Sequence, residues 1–259
     1  MRRASCGVLF VACAVLATAS VAFAQSGSGA AARTSKWWSQ VEPIGGSLDN
    51  GRWKYARRTA IKLSRTILEE SWNDRELDEV LAELALYRAI AEANLDHREE
   101  AIWYWLTALN LNRRIADRDL TAYGVAASSL SEIPLRKRGE TPAVFLGQAS
   151  RPDGPVTPPR FPDVTVPTLL NNTGATRQRS ADFEVEVIVD EAGDLHQPLV
   201  VSRHLNPVVI YSCLEWLQGV PALEPASVER QPVTAVYTVI IEFQINPFPG
   251  ALVITEEPD

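Results

Sequence analysis

Eight prolines fall between positions 134 and 167 of this 259-residue chain, at 134, 142, 152, 155, 158, 159, 162 and 167. Each fixes one backbone torsion and removes one hydrogen-bond donor, so the stretch can form neither a helix nor an interior strand. Folding must happen on either side of it. The chain accordingly divides into a helical part at 50–131, a proline-rich connector at 132–180 and a strand-rich part at 181–246. Fully extended at about 3.1 Å per residue, positions 134–180 would reach about 145 Å. The apolar runs Val144-Phe145-Leu146 and Thr168-Leu169-Leu170 are expected to dock on the folded parts and shorten that reach. A proline-rich peptide can also serve as a ligand for an aromatic groove, but no residue here prefers that over a spacer.

The first 24 residues stand apart. Arg2 and Arg3 precede an uncharged run from Gly7 to Ala24 that ends in Ala22-Phe23-Ala24. A basic start, an apolar middle and small residues at the cleavage positions are the pattern of a secretory signal peptide. The alternative is a retained inner-membrane anchor through residues 7–24, since the uncharged run approaches the length that spans a hydrocarbon core. Either way the chain is expected to be exported, as a periplasmic protein. Removal of the leader takes Cys6 and Cys13 with it and leaves Cys213, which lies among Ile210, Leu214 and Leu217 at helical spacing. There it is expected as a small buried hydrophobe rather than a nucleophile.

Between Asn50 and Leu130 there is no proline, and apolar residues recur at three and four. Trp53, Ala56, Ala60, Leu63 and Ile67 share one face of a first helix whose remaining surface is basic. Asn73 or Asp74 can cap a second helix carrying Leu77, Leu81, Leu84 and Tyr87. A third begins near Asp96, and a fourth is expected from about Arg118 to Leu130. Residues 51–68 hold six basic side chains and no acidic one, whereas 69–100 hold eleven acidic and three basic. Antiparallel packing of the first two helices would let these charges compensate. The alternative is a basic groove for an acidic peptide or anionic lipid headgroups.

In the third helix, Leu95-Asp96-His97-Arg98-Glu99-Glu100-Ala101 followed by Trp105, Ala108 and Leu109-Asn110-Leu111-Asn112 resembles the second half of a tetratricopeptide repeat. That pattern sets a small residue where two helices cross, an aromatic four later and an alanine at the next close approach. Asp96 stands where the repeat prefers glycine. The resemblance implies antiparallel helical hairpins that bind partner peptides.

Beyond the connector, Phe183, Val185, Val187 and Val189 alternate with Glu184 and Glu186, the period of a strand with one wet face. Asp190-Glu191-Ala192-Gly193-Asp194 supplies a turn. Leu195 to Ser202 reads as the returning strand, with Pro198 marking a bulge or an edge. Asn206 and Pro207 open a helix that Gly219 closes. Val233 to Ile245 forms a long last strand. The fold class expected is α+β, with helical hairpins followed by a β-β-α-β unit.

The runs Val185-Glu186-Val187-Ile188-Val189-Asp190-Glu191-Ala192-Gly193 and Pro198-Leu199-Val200-Val201-Ser202, the helix ending Leu214-Glu215-Trp216-Leu217, and the segments Glu224-Pro225-Ala226, Gln231-Pro232-Val233 and Val239-Ile240-Ile241-Glu242-Phe243 together resemble the C-terminal domain of TonB-type energy transducers. The resemblance covers residues 158–246. It implies an exposed edge strand that receives an extended peptide, the plug-side segment of an outer-membrane transporter, by strand addition. The platform expected is Val233, Thr234, Val236, Thr238, Glu242 and Gln244. The alternative is that this strand is interior and already paired. The partners implied are a TonB-dependent outer-membrane transporter and an inner-membrane motor or other envelope protein, with a strand-exchanged homodimer as a further form. A second function fits the helices alone, that of a non-catalytic periplasmic adaptor of tetratricopeptide type.

Nothing in the sequence points to an enzyme or a cofactor. The net charge of −7 disfavours nucleic-acid binding, which needs clustered cations. The three histidines, His97, His196 and His204, have no metal-ligand spacing, and there is no nucleophile elbow or phosphate-binding glycine loop. Trp37, Trp38, Trp53 and Trp72 could anchor a sugar or peptide, but Trp53 and Trp72 are expected to fill helix interfaces.

Overall fold

The computed structural model describes residues 37–70, 77–138, 156–161, 179–202, 205–245 and 253–254. Helix α1 (Trp38–Asp49) precedes the helices expected, with Pro43 inside it. Its Val41, Ile44 and Leu48 are buried at the helical interval, and that apolar stripe outweighs the bond Pro43 removes. Helix α2 (Trp53–Glu70) buries Ala56, Ala60, Leu63 and Ile67, the face read from the sequence. The capping candidates Asn73 and Asp74 lie outside the described residues, as does Trp72.

Helix α3 (Leu77–Asn94) is the central helix, with thirteen of its eighteen residues buried. A helix surrounded on all sides needs no amphipathic stripe. Its end follows from hydrogen-bond satisfaction. The Asp96 and His97 N–H groups donate to the Ala93 and Glu92 carbonyls at 3.3 and 3.0 Å, and Asp96 takes φ +65. This is the double closure in which glycine usually supplies the left-handed residue. Asp96 therefore takes the left-handed conformation that glycine more often supplies. Helix α4 (Arg98–Leu111) follows and buries Ala101, Trp105 and Ala108.

The fourth helix expected over 118–130 is not formed. The chain makes 3₁₀ turns at Arg113–Asp117 and Thr121–Tyr123, a single α turn, α5 (Val125–Ser128), and another 3₁₀ turn at Ser129–Glu132. Gly124 sits between them at φ +94 and ψ 172, a conformation that ends a helical run and that only glycine adopts without strain. Residues 133–138 then dock. The Ile133 carbonyl accepts the Trp105 indole N–H at 2.8 Å, and Arg136 reaches Glu186.

The sheet elements are β1 (Val156–Thr157), β2 (Arg179–Val189), β3 (Leu195–Val200), β4 (Ser227–Val228), β5 (Gln231–Pro232), β6 (Ala235–Ile245) and β7 (Val253–Ile254), with α6 (Pro207–Gln218) after β3. A four-stranded antiparallel sheet runs in the order β3-β2-β6-β7, and a small ribbon in the order β1-β4-β5. The chain is thus α+β. The described part of the connector is not free of the fold, since Val156 and Thr157 pair with Val228 and Ser227. The apolar runs 144–146 and 168–170 lie outside the described residues.

Local signals in the strand-rich part act as expected. Gly193 takes φ +89, and a Cβ there would lie 1.9 Å from the Leu223 carbonyl oxygen. The β2–β3 register shifts between Glu186 and Ile188, so Pro198 sits at a bulge on an edge strand. The Asn206 side chain accepts the Val208 N–H and Pro207 occupies the first turn of α6. Gly219 ends that helix at φ −94, without a left-handed turn. The expected wet face of β2 is wrong at Glu186, which is only 5% exposed. Its carboxylate receives the buried Arg136 guanidinium at 2.9 Å, so the 133–138 segment covers what alternation alone predicts to be solvated.

Thr34–Asp259 forms one compact unit. Phe183, Val185, Val187 and Val189 of β2 join a single apolar cluster with Val208, Tyr211 and Leu214 of α6 and Trp103 and Trp105 of α4. The Trp103 indole N–H donates to the Leu214 carbonyl at 3.0 Å. The helical and strand-rich parts, separate in the sequence pattern, pack directly on each other.

A candidate docking edge and the polar junction behind it

Strand β6 pairs with β2 without interruption, from Arg179 opposite Ile245 to Val189 opposite Ala235. The direction of its main-chain groups follows from alternation. On β2, Glu184 turns towards β3, its carbonyl accepting the Val201 N–H at 2.9 Å and its N–H donating to the Ser202 hydroxyl at 2.6 Å. Val185 therefore turns the other way, towards Val239 of β6. Val239 answers it, and by period two Val236, Thr238 and Ile240 aim their N–H and C=O groups outwards, away from β2. Among the described residues that outer side meets only β7, with Ile241 opposite Ile254 and Glu242 opposite Val253.

Of the six platform residues, Val236, Thr238, Glu242 and Gln244 lie in β6. Val233 and Thr234 precede it, and the Val233 N–H donates to the Ala226 carbonyl at 2.8 Å. Thr238 is exposed, and Val233, Thr234 and Val236 are partly buried. Val239 and Ile241 face the core at 2% and 1% exposure. The strand is thus paired along its length on one side, as the alternative had it, and on the other it pairs, among the described residues, only at Ile241 and Glu242.

The opposite margin of the sheet is closed by a residue that strand reasoning did not single out. Asn110 of α4 donates its amide to the Pro198 carbonyl at 2.9 Å and accepts the Val200 N–H at 2.8 Å. One side-chain amide thereby substitutes for a neighbouring strand along β3.

Behind the sheet, an ionic cluster ties the helices together and to α6. Glu92 has no exposed side-chain surface and receives Arg57 at 2.6 Å and His97 at 2.7 Å. Arg88 reaches Glu215 of α6 at 3.0 Å and lies 3.6 Å over the Tyr104 ring. Burial pushes the Tyr104 hydroxyl well above its ordinary value against the pull of Arg88. Burial likewise pushes Tyr211 up to about 12. None of these residues is signalled by a motif, and Arg57–Glu92 and Arg88–Glu215 join across 35 and 127 positions.

A cleft of about 620 Å³ opens between the start of α4, the β2–β3 turn and the end of α6, lined by Glu99, Ile102, Asp194, Leu195, His196 and Val220 among others. His196 bonds Asp190 there at 2.9 Å. Burial alone would raise the Asp190 carboxyl. The bonds from His196 and from the Asp194 and Ala192 N–H groups outweigh it and hold the group below the usual carboxylate range. This pair braces the turn, and among the described residues no hydroxyl or thiol lines the cleft beside it. Cys213 is buried, and burial pushes its thiol up to about 12, which keeps it protonated and unreactive. Among the described residues no group of three or more His, Cys, Asp or Glu gathers to hold a metal, and no helix is long and apolar enough to cross a membrane. His204 lies outside the described residues.

No protein-family model, curated protein or solved structure matches this chain.

Proposed function

We propose that this chain is a TonB-like, non-catalytic envelope protein that docks on an outer-membrane transporter or another envelope partner by strand addition at β6. The observation that carries the proposal is the asymmetry of the sheet. One margin is closed by Asn110, whereas Val236, Thr238 and Ile240 aim main-chain donors and acceptors outwards from the other. The pairing of Val253 and Ile254 on that margin is the same kind of contact a guest peptide would make. Transduction of energy for transport additionally needs a link to an inner-membrane motor, which a retained residue 7–24 anchor would provide.

The test is capture of outer-membrane transporters from envelope extracts by the full chain and by Thr238→Pro. Proline at that position removes a donor aimed at the guest and none used by β2, so the fold is expected to persist while capture is lost. Tyr237→Pro, which removes a donor used by β2, is the folding control. Capture unchanged by Thr238→Pro would sink the proposal. The second function, an adaptor of tetratricopeptide type, is favoured by the α3–α4 hairpin, whose Ala101, Trp105 and Ala108 are buried. It predicts capture that survives Thr238→Pro.

A further inference from the structure

Charge compensation between α2 and α3 is nearly absent. Of the five basic residues on α2 and Arg52 just before it, Arg57 pairs with Glu92. Arg52, Lys54, Arg58, Lys62 and Arg65 are exposed and make no ion pair among the described residues. At 3.6 residues per turn, Lys54, Arg58, Lys62 and Arg65 fall within about 80° of one another, opposite the buried Ala56, Ala60, Leu63 and Ile67. They form a straight ridge about 16 Å long. No acidic residue occurs from 51 to 68 in a chain whose net charge is −7, so the ridge is a local reversal of the molecule's field. Tyr55 stands beside it, 45% exposed, with the Arg52 guanidinium 4.8 Å above its ring.

From this geometry we infer that the outer face of α2 is a docking surface for an anionic lipid bilayer. The shape selects this occupant. Cations in single file on a convex helix match a flat anionic plane, whereas an acidic peptide would need flanking walls that a ridge does not offer. The overall negative charge opposes a polyanion that wraps the protein, and a half-exposed tyrosine is suited to the headgroup layer. The apolar face of α2 is committed to the core, so the contact is electrostatic and reversible rather than inserted. The inference does not depend on strand addition at β6.

The test uses the full chain with vesicles of phosphatidylethanolamine containing about a third phosphatidylglycerol, against vesicles of phosphatidylcholine, in a sedimentation assay. Each cation near an anionic surface strengthens binding about five-fold. Reversal of two of them, Arg58→Glu with Lys62→Glu, is therefore expected to weaken binding on the order of a hundred-fold or more. The neutral pair Arg58→Gln with Lys62→Gln should lose about twenty-five-fold, and added salt should weaken binding of the unchanged protein. Arg113→Glu with Arg114→Glu makes the same change in net charge at two other exposed positions and should weaken binding far less. Equal binding to both vesicles, equal loss in the two reversal variants, or binding to polyglutamate or single-stranded DNA without binding to vesicles would each overturn the inference.

Discussion

Asn110→Ala removes the amide that closes the β3 margin, and its cost can be worked from two contacts. The Pro198 carbonyl loses a donor at 2.9 Å and the Val200 N–H loses an acceptor at 2.8 Å. Each such bond contributes about 0.5–1.5 kcal/mol net, and a buried group left unpaired costs about 1–3 kcal/mol. Pro198 is buried and Val200 only partly so. The carbonyl therefore bears the larger penalty, while water can reach the N–H. Alanine is the better helix former by roughly half a kcal/mol, which offsets part of the loss. The expected net destabilisation is about 2 kcal/mol, or about 4–8 °C in Tm for a chain of this size. Thermal unfolding followed by the fluorescence of the buried Trp103 and Trp105 reads it directly. Asn110→Asp separates the two halves of the contact. It keeps the acceptor for Val200 but sets a carboxylate against the Pro198 carbonyl, so it should be no better than alanine. A Tm lowered by less than about 1 °C in both variants would refute the idea that this side chain acts as the missing strand.

Glu92→Ala removes the carboxylate that Arg57 meets at 2.6 Å and Arg88 at 3.7 Å; a loss of about 3–5 kcal/mol is expected, measurable by urea unfolding. Gly193→Ala sets a Cβ against the Leu223 carbonyl at a positive φ and should lower Tm markedly, whereas Gly219→Ala, at φ −94, should be tolerated. In alkali, the Cys213 thiol is raised in the folded state from 9.0 to about 12. Its contribution is therefore fully present below pH 9 and lost as pH rises towards 12, so stability should fall over that window and Cys213→Ala should flatten the decline. Asp190 is held low in the folded state. Its contribution is present above the ordinary carboxylate range and lost as pH falls, and His196→Ala should shrink that acid-side loss in a pH series of denaturation midpoints.

What could be read in advance was local. The α2 face, the Gly193 turn, the Asn206 cap and the bulge at Pro198 each depend on residues within a few positions of one another, so pattern and torsional preference suffice. The errors arise where a local rule met a stronger competitor. The helical part was read as beginning at residue 50, yet the burial of Val41, Ile44 and Leu48 forms α1 ahead of it, around Pro43. The apolar spacing after Arg118 resembles a helix, yet Gly124 divides it into short turns. The long-range junctions were illegible for a different reason. Asn110 meets Pro198, Arg88 meets Glu215 and Arg136 meets Glu186 across 88, 127 and 50 positions. Only tertiary packing brings such pairs together, so Glu186 looks solvated and Asn110 looks like one more residue of a helical repeat. Of the candidate docking edge, the strand and its alternation were legible, but the asymmetry between the two margins was not.

That asymmetry also limits how copies of this molecule can accumulate. A sheet with two open sides can recruit one neighbour after another into an endless fibre. With β3 capped by Asn110, two molecules that joined along the stretch of β6 that β7 leaves unpaired among the described residues would each use the one uncapped margin of this sheet in a single encounter. The product is a closed pair, and self-association of this kind ends where amyloid growth would begin.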